Sequence, residues 1–153
     1  MDWDILKEEI YYSDGSCRDI YVNDTTLDDW KKWTRFVNEN YKVEFYNGQT
    51  QQTENKIDFN LILDFWEHKT EFVNGSTINL ENIKVNCHFF NTHEIENDID
   101  PGMVETINDH DKIIKYMISL SKLLDKKVIM TAENMNDYIH ISVDKGNIEI
   151  YNH

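Results

Sequence analysis

Apolar residues recur at every second position in two stretches of this chain. Ile57, Phe59, Leu61, Leu63 and Phe65 form one series, set off by Asp58, Asn60 and Asp64, and Ile83, Val85, Cys87 and Phe89 form the other. Successive side chains of an extended strand point to opposite faces, so a period of two gathers the apolar set on one side of a sheet. Such a face is stable only when covered, and the pattern predicts a sheet with one dry side and one wet side.

Two segments with helical spacing are predicted to supply the cover. Thr25 or Thr26 caps a helix running to about Tyr41, with Asp28 and Asp29 in its first turn, where the helix dipole favours acids. Leu27, Trp30, Trp33 or Thr34, Val37 and Tyr41 give it one apolar stripe. Asn108 or Asp109 caps a second helix, striped by Ile113, Met117, Leu120 and Leu124 with Ile114 and Ile118 beside them, and Lys122, Lys126 and Lys127 gather at its end. Short strands are predicted on both sides of the Ser13-Asp14-Gly15-Ser16 turn, over 41–46, 77–80 and 128–130, and in a closing hairpin that turns through Asp144-Lys145-Gly146-Asn147. Residues 49–53 and 91–108 show no clear period and are predicted to be connections. The expected architecture is a single α+β domain over 1–153, a mainly antiparallel β-sheet with two helices packed on one face.

Charge narrows the function classes. The chain of 153 residues carries 29 acidic against 15 basic side chains, a formal net charge of −14. Lys31, Lys32, Lys69, Lys84, Lys126 and Lys127 are dispersed among acids, which argues against nucleic acid and anionic membrane and in favour of a basic partner. Cys17 and Cys87 lack the C-x-x-C spacing of a zinc or redox pair. Met1-Asp2-Trp3-Asp4 has acids where a signal peptide needs basic residues, and no apolar run reaches the length of a membrane span, so a cytoplasmic location is expected. Abundant Ile and Asn against a single Pro is a bias associated with AT-rich bacterial coding sequence.

The strong catalytic motifs are missing: there is no Gly-rich phosphate loop, no H-E-x-x-H and no G-x-S-x-G. Cys87, His88, His93, Glu94 and Glu96 are close in sequence, but Cys87 and His88 point to opposite faces of a strand, so a buried thiol beside an exposed histidine fits better than a metal site. Counting from Glu96 as the first position of a calcium loop, Pro101 stands where the turn glycine belongs. His140, between Ile139 and Ile141, is predicted to be an exposed strand histidine. Glu94, Glu96, Asp98 and Asp100 alternate with Ile95, Asn97 and Ile99 and can present a row of carboxylates to basic side chains of a protein partner. Tyr12, Tyr21 and Trp66 fall on the polar phase and are candidate anchors for that partner. No cofactor, metal or catalytic residue is assigned. A hydrolase or metal-dependent enzyme built on Glu94, Glu96, His88 and His93 is the alternative, and a regulatory subunit of a larger assembly is a third possibility.

Asp2-Trp3-Asp4, the Asp14-Gly15-Ser16 turn, Arg18-Asp19-Ile20-Tyr21-Val22 and Cys87-His88-Phe89-Phe90 resemble segments of small bacterial immunity-type proteins, which neutralise the toxins of neighbouring cells. The resemblance implies a negative surface that meets the basic active site of a nuclease, where complementary charge speeds association and fixes orientation. It carries over no individual binding residue.

Overall fold

The computed structural model describes residues 2–153; Met1, the first residue of the acidic N-terminal tetrapeptide, lies outside them. Among these residues are nine strands: β1 (Arg18–Asn23), β2 (Lys42–Asn47), β3 (Gln52–Glu54), β4 (Gly75–Leu80), β5 (Ile83–His88), β6 (Glu94–Ile99), β7 (Val128–Ala132), β8 (Met135–Asp144) and β9 (Asn147–Ile150). They pair antiparallel in one sheet, in the order β3-β2-β4-β5-β6-β1-β7-β8-β9. Four α-helices accompany it, α1 (Trp3–Glu9), α2 (Leu27–Asn40), α3 (Phe59–Trp66) and α4 (Ile107–Leu124). The α+β class holds, with four helices where the sequence pattern predicted two.

Alternation decides which face is dry. Val43 and Phe45 of β2, Ile78 and Leu80 of β4, Ile83 and Val85 of β5, Ile95 and Ile99 of β6, Ile20 and Val22 of β1, and Met130 of β7 share one face. These residues form a single buried cluster with Leu6 of α1, Trp30, Trp33 and Val37 of α2, Ile62 of α3 and Ile113, Met117 and Leu120 of α4. Burying each such aliphatic side chain contributes about 1.5–3 kcal/mol. The opposite phase of β5, β6 and the adjoining part of β1 contributes nothing to that cluster.

Three segments depart from the pattern-based expectation. Residues 57–65, read as the clearest strand, form α3. The Asp58 side chain accepts the Asn60 amide at its start, and Phe59, Ile62 and Trp66 fall at spacings of three and four on the side that meets the core. In so short and apolar a segment the two periods overlap, and tertiary packing selects the helix. Residues 91–108, read as a connection, contain β6, placed between β5 and β1. Its inward position Asn97 is polar yet fully buried, and it accepts a hydrogen bond from the Tyr116 hydroxyl, which in turn accepts one from the Trp33 indole. That buried polar residue interrupted the apolar alternation.

The expected N-terminal hairpin is replaced by α1 and a loop. Buried Arg18 donates to the carbonyls of Ile10 (2.7 Å) and Tyr12 (2.9 Å), acceptors that a strand ladder would otherwise have used. Helix caps follow the sequence more closely. Thr26 and Asp29 form a capping box on α2, and Thr106 with Asp109 forms one on α4, so Asp109 acts three positions inside the helix and not as its cap.

Candidate interaction face

The phase of β5, β6 and β1 that turns away from the helices carries Asn86 and His88, then Glu94, Glu96 and Asp98, then Asp19, Tyr21 and Asn23. Asp98 stands directly opposite Asp19 on one side and Asn86 on the other, while Glu96 stands between Tyr21 and His88. Like charges directly opposite one another on antiparallel strands are destabilising. Asp19 itself is buried, and the Tyr21 hydroxyl and the Asn134 backbone amide both donate to it.

Local hydrogen bonds hold the cluster together. His88 Nε2 lies 2.5 Å from Asp98 Oδ2, and Asn86 donates to Asp98 Oδ1 at 2.9 Å. The Tyr21 hydroxyl lies 2.7 Å from Glu96 Oε1 and 3.0 Å from Asp19 Oδ2, so one proton is shared between two carboxylates. The Asn134 amide donates to Asp19 Oδ2 at 2.7 Å. The hydrogen bond to Asp98 raises the His88 pKa above the usual imidazole value despite partial burial. Burial pushes the Asp98 carboxyl up, but its bonds to His88 and Asn86 outweigh that and hold it below the ordinary range. Burial raises the pKa of both Glu96 and Asp19, against the hydrogen bonds that each accepts. His88 and Asp98 are therefore a hydrogen-bonded pair in which each favours the charged form of the other. Among the described residues Glu94, Glu96 and Asp19 make no ion pair, while exposed Lys84 lies further along the same phase of β5.

The structure brings together only part of the predicted set. Glu94, Glu96 and Asp98 line up on one strand phase, half-buried, as their alternation implied. Asp100 leaves the row: its carboxylate accepts the Gly102 amide and caps a short 3-10 turn over Pro101–Met103. Tyr21 is on the expected phase but buried, its hydroxyl engaged by the carboxylates, so it supports the row and is not a solvent-facing anchor. Tyr12 is exposed, with Arg18 4.6 Å from its ring centre, beside α1 and away from the row. Trp66 is part-buried on α3, edge-on to Trp30, with its indole donating to the Phe89 carbonyl; its strand phase disappeared with the strand.

Sequence reasoning did not assign Asp19 to the partner site, although it shares the phase of Tyr21 within Arg18–Val22, and that spacing was available. It placed His88 only in a metal or enzyme site. His140, expected to be exposed, is buried, and its Nε2 has no hydrogen-bond partner among the described residues. Exposed apolar groups were also missed. Phe90 stacks flat on His88 with ring centres 5.2 Å apart, and Phe72 and Val73 stand out from the loop between α3 and β4.

Cys87 lies on the dry face and His88 on the wet one, so the two do not converge. Among the described residues no group of three or more His, Cys, Asp or Glu is arranged to hold a metal ion, and no helix is long and apolar enough to cross a membrane. Compared with family models, curated proteins and solved structures, the chain matches none of them.

Proposed function

We propose that this chain is an acidic protein-binding domain that occupies a basic surface of another protein, in the manner of an immunity protein that covers a toxin's active site. The observation that carries the reading is the half-buried row of Glu94, Glu96 and Asp98 on the face that the helices leave uncovered, backed by the buried carboxylate of Asp19. Local violations of stability rules concentrate where function requires them. Here a basic partner supplies the missing counter-charge, offsetting repulsion already present in the free protein. Complementary charge of this kind raises association rates and excludes acidic competitors.

Selection from a random peptide library displayed on phage, at low ionic strength, tests the proposal. Peptides enriched in Arg and Lys are expected, with affinities that fall steeply toward 0.5 M salt, because exposed charges are screened over about 10 Å at 0.1 M. The same peptides should bind several-fold more weakly to a Glu94→Gln, Glu96→Gln variant. Winners without cationic bias, or binding indifferent to salt, would remove the acidic face from the account.

A further inference from the structure

One cavity lies at the border of the acidic face. It has a volume of about 240 Å³ and is walled by Phe65, Val73, His88 and Phe90, with Ile62 and Phe89 also in its lining. Sites for drug-sized ligands run to roughly 300–1,000 Å³, so this one is scaled to a single side chain. Its rim is unusually apolar for a surface: Val73 is 66% exposed, Phe90 64% and neighbouring Phe72 49%. Single exposed hydrophobic residues are ordinary, whereas a contiguous group marks a contact surface.

The rim is fixed before anything binds. A side chain at Gly48 would bring its Cβ within 2.2 Å of the Val73 carbonyl oxygen, and the Gly48 amide donates to Asn74 Oδ1 at 3.0 Å. Glycine thus lets the α3–β4 loop seat directly on the turn after β2. On the other side, Phe90 lies parallel to His88, which Asp98 holds in place. A pocket with both walls anchored takes an anchor residue at little ordering cost.

Charge identifies the occupant. His88 borders the cavity and faces Glu96 across the β5–β6 ladder, and Glu71 lines the groove that continues past Phe90 on the other side. We infer that the cavity receives one branched or aromatic apolar side chain of a basic protein segment, with Arg or Lys on each side of it reaching Glu96 and Glu71. The inference rests on the acidic-face reading above and gives it a register: charge brings the partner, and the cavity selects where along the partner it settles. Anchors buried in pockets and ringed by polar contacts are the usual carriers of interface affinity.

The test uses two cationic peptides identical except for a central Leu or Gly flanked by Lys and Arg, titrated calorimetrically into the full chain. The Leu peptide is expected to bind about tenfold more tightly, the effect of burying one aliphatic side chain. That ratio should fall to below about threefold in Phe90→Ser and in Val73→Ser, both exposed positions whose folding is checked by circular dichroism. Glu94→Gln with Glu96→Gln should weaken both peptides alike and preserve the ratio. Equal affinities in the unaltered protein, or a ratio that survives both apolar substitutions, would overturn the cavity's role while leaving the acidic face standing. Failure of both peptides to bind at low salt would overturn the acidic face, and the cavity's role with it.

Discussion

The two sides of β6 are one residue apart and obey different rules. Ile95, Asn97 and Ile99 point into a core where even the single polar group meets a tyrosine hydroxyl, and all three are buried. Glu94, Glu96 and Asp98 point the other way, half-buried, with His88 bonded to Asp98. The inward phase satisfies packing, and its one polar residue is bonded at Oδ1 while its Nδ2 has no partner among the described residues. The outward phase accumulates charge that the molecule does not neutralise by itself, and the difference separates residues that maintain the fold from residues available to a partner.

Substitution on each phase should break the comparison in opposite directions. Ile99→Ala is expected to cost about 2–5 kcal/mol in urea unfolding, the range for an aliphatic core truncation, with peptide binding retained by the fraction that stays folded. Glu94→Ala should change stability by less than about 0.5 kcal/mol. Reversing charge with Glu94→Lys and Glu96→Lys together should lower affinity for cationic peptides by at least about tenfold, against a small effect on unfolding. If the reversal unfolded the protein as readily as Ile99→Ala, the outward phase would be structural after all.

The sequence made one phase of the sheet more legible than the other. Ile83, Val85 and Cys87 announced β5 because nothing polar interrupts their alternation, and Thr26 with Asp29 announced α2 through cap and dipole chemistry. β6 was hidden by Asn97, whose burial depends on Tyr116 far along the chain, a partner that local reading cannot supply. α3 was hidden by apolar density, because a short segment rich in Phe, Leu and Ile fits both periods. The carboxylate row of Glu94, Glu96 and Asp98 was visible as alternation, but the opposing Asp19 and the Phe90–Val73 rim depend on strand order and loop seating, which emerge only from the tertiary fold.

The outward phase does not stay open across the whole sheet. Toward β7 and β8 the residues Ile129, Thr131, His140 and Ser142 are buried, and His140 tests where the boundary falls. Burial, then Arg18 and His153, push its pKa down to about 4. A histidine held neutral in the fold contributes stability that is full above about pH 6.5 and is lost as pH falls from there toward about 4, roughly 2 kcal/mol by pH 5. Unfolding measured at pH 7 and pH 5 should show this loss, and His140→Gln should remove most of it. A slope unchanged by that substitution would mean that water reaches His140 and that the open region extends past β1.

The smallest expected effect bears most directly on what the outward phase is for. The raised Glu96 pKa means that its charge is disfavoured in the folded state, so its contribution is present below the ordinary carboxylate range and is lost as pH rises through the folded value. At neutral pH the ionised group is then a cost to the fold. Glu96→Gln keeps an oxygen to accept from the Tyr21 hydroxyl and removes the charge. Its melting temperature at pH 7 should rise by roughly 1–3 °C, as expected for a gain of up to about 1 kcal/mol in a chain of this length, and the gain should vanish near pH 4. Affinity for the cationic peptides should fall about two- to fivefold in the same variant, the worth of one partly exposed charge. A gain in stability coupled to a loss in binding identifies a charge kept for a partner, whereas a loss in both would make Glu96 a member of the fold's own hydrogen-bond network, no different in kind from Asn97 on the other side of the strand.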